Sequence, residues 1–243
     1  MENWKENNVW HGLSMNTIYN MDCIEWMKLI PDWSIDCIIT SPPYNIWKMH
    51  SNHKYFWTYW WNDMNESEYQ SRQISFIDEC IRVLKDDWSL FYNHKIRIKN
   101  KIAIHPMERI LKTKWILKQE ITWDLWKSAN SDRIRFFPYS ERIYRIVKQK
   151  ETKIFNKKNL SDVWRVVPIH KRQKTNHIAV MPEKIVHNII NATQYTTFLD
   201  PFMWSWTTAI ACINTNRNFI WFELDEWYRN IANKRIQDKL SEK

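Results

Sequence analysis

One glycine, Gly12, serves 243 residues, where average usage of about 7% would supply roughly 17. Without glycine, tight turns must be built from residues that resist positive φ. No stretch approaches 18 uninterrupted apolar residues, which argues against a membrane-spanning helix. The first residues, Met-Glu-Asn-Trp-Lys-Glu-Asn, lack the basic-then-apolar layout of a secretory signal, so a cytoplasmic protein is expected. Only four cysteines occur (Cys23, Cys37, Cys80 and Cys212), without CxxC spacing. That argues against zinc and, in a reducing compartment, against disulfides; buried small hydrophobes are the expectation. No internal repeat or low-complexity segment is evident.

Tryptophan is what the chain has instead, with 17 copies. Trp33 in Pro-Asp-Trp-Ser, Trp88 in Lys-Asp-Asp-Trp-Ser, and Trp204 and Trp206 in Pro-Phe-Met-Trp-Ser-Trp-Thr-Thr sit where a tight turn wants glycine. A bulky residue is a poor choice there. We read most of these tryptophans as standing for glycine. A gene in which UGA encodes glycine, translated with a table that reads UGA as tryptophan, produces this pattern.

The length suits one domain with a substantial core. Thirty-six basic residues against 27 acidic give a net charge of +9, which favours a polyanionic partner. Basic clusters fall at 95–101, 148–158 and 170–174, interleaved with aromatics, and make nucleic acid the leading partner expectation.

Thr17 onward reads as strand, short helix from Ile24, turn, and a second strand from Ile35 to Thr40. A helix follows over Glu68–Leu84, with Ile74, Ile77, Ile81 and Leu84 near 3.6 spacing. Ser89–Asn93 reads as a strand, Lys101–Leu111 as a helix and Ile116–Trp123 as a strand. From Leu125 to about Thr175 the pattern weakens, with strand-like pieces at Arg142–Val147 and Val163–Pro168, and this middle is expected outside the sheet. Pro182–Asn191, Thr207–Asn214 and Glu226–Leu240 read as helices, alternating with strands at Thr197–Asp200 and Phe219–Glu223. The alternation predicts an α/β fold with a mostly parallel sheet.

Ser41-Pro42-Pro43-Tyr44 follows the Ile35–Thr40 strand at its carboxyl end, where open α/β sheets place ligands. Two prolines fix the backbone and remove two N–H donors. A rigid rim of carbonyl acceptors, a hydroxyl and an aromatic face remains, suited to a planar ring with an exocyclic NH₂. A second motif is Phe198-Leu-Asp200-Pro201-Phe202-Met-Trp204-Ser205-Trp206-Thr207-Thr. With glycine at 204 and 206 it becomes a strand, glycine turn and helix start that lets backbone approach a ligand. Glu223, ending the next strand, is placed to accept from ribose hydroxyls. This arrangement suits a nucleoside cofactor.

With these motifs in that order, the chain resembles the amino-directed DNA methyltransferases that use S-adenosylmethionine. That family has a catalytic (D/N/S)PPY element and a cofactor-binding FxGxG element. Here PPY precedes the cofactor loop, which is the circularly permuted β-type order. The resemblance runs from about Asn16 to Lys239 and includes Ile-Pro-Asp-Trp-Ser-Ile-Asp, Val-Leu-Lys-Asp-Asp-Trp-Ser-Leu, Ile-Thr-Trp-Asp and Asn-His-Ile-Ala-Val-Met-Pro-Glu-Lys. Family patterns also place glycine at Trp26, Trp47, Trp126 and Trp221, but keep tryptophan at Trp123 and Trp164. The resemblance implies a Rossmann-like methyltransferase fold with helices on both sheet faces. It implies catalytic roles for Ser41, Pro42, Pro43 and Tyr44. Asp22 and Cys23 are implied near the cofactor adenine, Asp200, Pro201, Phe202, Trp204, Ser205, Trp206 and Thr207 near its methionine end, and Glu223 at the ribose.

The implied reaction moves a methyl group from S-adenosylmethionine to N4 of cytosine or N6 of adenine. Serine before Pro-Pro-Tyr leans towards cytosine and leaves both open. A flipped base stacks on Tyr44 while Ser41 and the Pro42 carbonyl draw on its amino protons, with no cysteine nucleophile and no metal. Residues 125–175 are the candidate target-recognition insertion, with Lys127, Arg133, Arg135, Arg142, Lys171, Arg172 and Lys174 as phosphate contacts. Double-stranded DNA is the expected partner, a homodimer and a cognate restriction endonuclease stay open, and no membrane is involved. Two alternatives stand beside this reading: a non-catalytic DNA-binding relic if the tryptophans are literal, and a protein-glutamine methyltransferase. The latter is disfavoured by motif order and by serine at position 41.

Overall fold

A computed structural model describes residues 8–10, 13–19, 22–46, 64–126, 135–156, 160–167, 181–202, 207–223 and 226–241. A small ribbon pairs β1 (Asn8–Trp10) with β2 (Leu13–Ser14). Then come β3 (Thr17–Tyr19), α1 (Cys23–Met27), β4 (Ile35–Thr40), α2 (Glu66–Val83) and β5 (Leu84–His94). The hairpin β6 (Arg97–Lys99) and β7 (Ile102–Ile104) precedes α3 (Met107–Ile110), β8 (Ile116–Asp124), β9 (Ser140–Val147) and β10 (Val163–Arg165). The chain finishes with α4 (Glu183–Ala192), β11 (Thr197–Asp200), α5 (Thr207–Asn214), β12 (Asn218–Phe222) and α6 (Glu226–Ser241).

Among the described residues, eight strands form one sheet in the order β10-β8-β9-β5-β4-β11-β12-β3. All of its pairings are parallel except those that β9 makes with β5 and β8. The expected α/β class and mostly parallel sheet are therefore present. Every residue of β4 is buried, as a central strand covered on both faces must be. Its residues feed two cores. Ile35 and Ile38 join Met27, Phe76, Ile77, Cys80 and Ile81 from α1 and α2. Cys37 and Ile39 join Ile185, Ile189, Ala209, Cys212 and Ile236 from α4, α5 and α6. All four cysteines are free and buried, as expected of small core residues, and burial pushes the Cys37 thiol well above its ordinary pKa.

Three expectations fail. Lys101–Leu111 is not one helix: Ile102–Ile104 is a strand, and only Met107–Ile110 is helical. Asn100 and Lys101 hold φ of 51° and 63°, the primed-turn geometry that closes a two-residue hairpin between β6 and β7. Nor does all of the weakly patterned middle lie outside the sheet, since β9 and β10 both belong to it. β9 sits between β5 and β8, with Ile143, Tyr144, Ile146 and Val147 buried; its alternation was masked because both of its faces are covered. Finally, Trp88 lies within β5 rather than in a turn between elements. Register slips there, so that Ile35 faces Leu84 while Cys37 faces Ser89, an irregular bulge where glycine is at home.

The tryptophans divide by physical circumstance. Trp123 Nε1 donates to the Val166 carbonyl at 2.8 Å, Trp164 Nε1 to that of Ser161 at 2.8 Å, and Trp115 Nε1 to Asp78 at 2.6 Å. By contrast, the indole nitrogens of Trp26 and Trp221 are buried with no hydrogen-bond partner, a cost of about 1–3 kcal/mol each. Trp33 and Trp126 occupy the left-handed region at φ 57° and 61°, which costs an L-residue about 1–2 kcal/mol. The two residues are 61% and 51% exposed, and their rings lie beneath basic side chains, Lys148 at 5.6 Å from Trp33 and Arg165 at 4.8 Å from Trp126, contacts worth about 0.5–1 kcal/mol at exposed sites. Among the described residues, four of the other five positive-φ positions are asparagine, the residue that best tolerates this region after glycine. Trp47, Trp204 and Trp206 lie outside the described residues.

Candidate active site

The parallel strands β3, β4, β5, β11 and β12 end along one edge of the sheet, and the predicted residues gather there. Ser41–Tyr44 follows β4 directly, with Pro42 and Pro43 buried and Ser41 and Tyr44 half-buried. Helix α2 holds this segment from below. The Tyr69 hydroxyl donates to the Pro43 carbonyl at 2.7 Å. Asn45, at φ 52°, is clamped by its side-chain amide, which donates to the Met64 carbonyl at 3.0 Å and accepts from the Met64 N–H at 3.2 Å.

A polar cluster surrounds Ser41 and Tyr44. The two hydroxyls are 2.8 Å apart, and Tyr44 donates to Glu141 Oε2 at 3.0 Å. Asn93 Nδ2 lies within 3.3 Å of Ser41 Oγ, 2.8 Å of the Tyr44 hydroxyl and 3.0 Å of Glu141 Oε2. Lys95 Nζ sits 5.4 Å from the Tyr44 ring centroid, and the His94 ring is 4.4 Å from it, centroid to centroid. Burial, with Arg109 and Arg97 nearby, holds His94 well below its ordinary pKa. Burial also lowers Lys95, against the pull of Glu141. Asn93, Tyr69 and Glu141 were not singled out from the sequence, and Lys95 was read only as part of a basic cluster. Asn93, Lys95 and Glu141 lie at or beside strand ends and Tyr69 on α2, positions whose polarity carries no information until the tertiary pairing is known. The basic cluster at 95–101 is partly internal: Arg97 is buried, pairs with Glu66 at 2.6 Å and covers the Tyr69 ring.

A second group lies at the ends of β11 and β12. Asp200 is buried, accepting from the Phe202 N–H at 3.1 Å and the Thr208 hydroxyl at 3.0 Å. Burial, with Glu223 adding repulsion, pushes its carboxyl up to about 7. Glu223 is itself buried just beyond β12. Phe202 packs at 5.0 Å on Phe76, and Thr207 opens α5 as a buried residue. Two buried carboxylates at adjacent strand ends form an acceptor set that suits ribose hydroxyls and a cationic amino acid end, so these residues fit a sulfonium nucleoside. Trp204, Ser205 and Trp206 lie outside the described residues.

Asp22 and Cys23 have local duties. Asp22 caps α1, accepting from the Ile24 N–H at 3.0 Å, and its other oxygen pairs with Arg72 at 2.8 Å. Cys23 is buried in the core beneath. Of the candidate phosphate contacts, Arg142 pairs with Glu120 at 2.9 Å. Lys127, Arg133, Lys171, Arg172 and Lys174 lie outside the described residues. No group of three or more potential metal ligands occurs among the described residues.

The chain is similar to the type II methyltransferase M.BglII of Bacillus subtilis, 28% identical across 90% of this chain and 68% of the relative. It is likewise similar to M.BamHI of Bacillus amyloliquefaciens, 28% identical across 94% of this chain. The chain spans 59% of the length of that second relative. Among solved structures, the cytosine-N4-specific PvuII DNA methyltransferase matches with a TM-score of 0.74 at 17% identity, covering 92% of this chain and 90% of the other. The M1.HpyAVI complex with S-adenosylmethionine matches at 0.65 and 23%, covering 90% and 98%. At such identities the structures establish a shared fold. Residues 35–234 match the family model described as DNA methylase, and with most of the chain covered, this protein belongs to that family of N6- and N4-directed DNA methyltransferases.

Proposed function

We propose that this chain methylates the exocyclic amino group of cytosine (N4) or adenine (N6) at specific sites in double-stranded DNA, with S-adenosylmethionine as methyl donor. The observation that carries the proposal is the juxtaposition on one sheet edge of the Ser41–Tyr44 turn and the Asp200–Glu223 carboxylate pair. Bound there, the cofactor supplies an electrophilic methyl group on a sulfonium. In this reading Asp200, Pro201, Phe202 and Thr207 flank its methionine end, with positions 204–206 as the turn. Glu223 holds the ribose, and Asp22 and Cys23 border the adenine. Tyr44 stacks on the flipped base, and Ser41 with the Pro42 carbonyl accepts its amino protons. Drawing on those protons makes the nitrogen lone pair available, so catalysis comes from orientation and fixed dipoles.

Recognition of the target sequence belongs in this proposal to the segments flanking β9 within 125–175. Arg135 remains a phosphate candidate, whereas Arg142 is engaged with Glu120. A cognate endonuclease and a second copy of the chain are further partners within the same proposal. The working protein carries glycine at 26, 33, 47, 88, 126, 204, 206 and 221, and the function is assigned to that form. Support comes from the strained backbone at Trp33 and Trp126 and the orphaned indoles of Trp26 and Trp221.

Base-resolved methylation mapping of DNA from cells expressing the glycine form tests the proposal. Methylation of one base type in a fixed sequence context is expected, and unmethylated DNA overturns it. A titration of S-adenosylmethionine against the tryptophan form and a Trp204→Gly/Trp206→Gly variant separates the enzyme from a DNA-binding relic. The variant is expected to bind, and binding by neither form favours the relic.

A further inference from the structure

Glu141 opens β9, the strand that runs antiparallel to its neighbours. That reversal brings its N-terminal residues to the edge where the parallel strands end. The carboxylate thus reaches Tyr44, 97 residues away in sequence, and receives its hydroxyl proton at 3.0 Å.

An ionised carboxylate only accepts hydrogen bonds. Tyr44 has one O–H, and the contact with Glu141 commits it. In the 2.8 Å contact between Ser41 and Tyr44, Ser41 must therefore be the donor. The Ser41 proton is then committed as well, and its oxygen offers only lone pairs to any further partner. Asn93 obeys the same constraint. Its Nδ2 faces all three oxygens while Oδ1 is buried without a hydrogen-bond partner. The reversed amide would set an acceptor against the carboxylate and lose its donors. Glu141 dictates that orientation too.

We propose that Glu141 fixes the hydrogen-bond polarity of the target site, so that the Ser41 hydroxyl meets the base as an acceptor. This rests on the methyltransferase reading above and deepens it. An amino group presents protons and is held by such a site, whereas a carbonyl or ring nitrogen presents lone pairs and is repelled. Glu141 acts through Tyr44, so it is a positioning residue. It selects amino groups over the other polar edges of a base.

A double-substitution cycle in the glycine form tests this. Glu141→Ala is expected to lower the single-turnover methyl-transfer rate about 100-fold, the loss typical of removing one preorganised polar contact. Cofactor affinity, and base flipping reported by 2-aminopurine at the target position, are expected to stay within a few-fold. Glu141→Gln retains an acceptor and is expected to recover most of the rate. In a Tyr44→Phe background the link is already cut, and Glu141→Ala is expected to change the rate little further. Equal losses in both backgrounds, no loss in either, or a parallel loss of cofactor binding and flipping overturns the proposal. A parent chain that methylates no amino group in DNA instead overturns the underlying reading, and this inference with it.

Discussion

The Tyr69 hydroxyl lies 2.7 Å from His94 Nε2 and 2.7 Å from the Pro43 carbonyl, with one proton to give. His94 Nδ1 is 2.8 Å from the Lys95 carbonyl, which can only accept, so in the neutral ring Nδ1 carries the hydrogen and Nε2 is an acceptor. Burial keeps the ring neutral. Tyr69 thus shares its proton between the Ser41–Tyr44 turn and the histidine beneath the Tyr44 ring. Tyr69→Phe is expected to lower stability by about 1–3 kcal/mol, the cost of stranding buried acceptors. It is also expected to reduce methyl transfer while leaving cofactor affinity in place. Urea unfolding and single-turnover kinetics check the two parts.

Asp36 ties β4 to the start of β11. Its carboxylate takes the Lys85 ammonium at 2.6 Å and three donors from Thr196 and Thr197 between 2.6 and 3.0 Å. Burial pushes its pKa up, but Lys85 and the threonine donors outweigh that and leave it lowered. A lowered carboxyl stabilises the fold above the unfolded pKa, and the contribution is lost as pH falls through the folded value. Asp36→Ala is expected to cost about 3 kcal/mol near neutrality and less in acid, below the ordinary carboxyl range. Denaturant titrations at the two pH values measure this.

Asp200 works in the opposite sense. Its folded pKa is raised from 3.8 to about 7, so between those values the folded protein binds more protons than the unfolded one. Stability without cofactor is then expected to fall as pH rises from 4 to 7, by at most about 1.4 kcal/mol per unit from this group. Asp200→Asn is expected to flatten that slope, as melting temperatures across the range will show.

The tryptophans give a covalent prediction. The intact mass of the protein from its own cells is expected to be lower than the translated mass by a whole number of Trp-to-Gly differences, with tryptophan retained at 123 and 164. In the tryptophan form, Trp33→Gly is expected to stabilise by about 1–2 kcal/mol through relief of positive φ. Trp123→Gly is expected to cost at least 3 kcal/mol, as large-to-small changes in a core do. Comparison of unfolding midpoints checks both, and UGG codons at the eight positions overturn the glycine assignment.

Local pattern made the element order legible. Ile35–Thr40 is an apolar β-branched run, and α2 carries its apolar stripe, so both lie where expected. The Ser41–Tyr44 and Asp200–Thr207 motifs were legible because their residues are contiguous and follow strands. The hairpin at Asn100–Lys101 was missed because its turn chemistry is carried by a lysine at positive φ.

The sequence by itself determined the α/β alternation, the two motifs and the positions that want glycine, since each depends on neighbours a few residues apart. Tertiary structure alone decided that β9 enters the sheet, and enters it reversed. Strand pairing joins residues that share no local signal, so no reading of Ser140–Val147 could place Glu141 beside Tyr44. Tertiary packing also separated tryptophans whose indoles find a partner from those that do not, because a buried N–H is satisfied or stranded only by what folds around it.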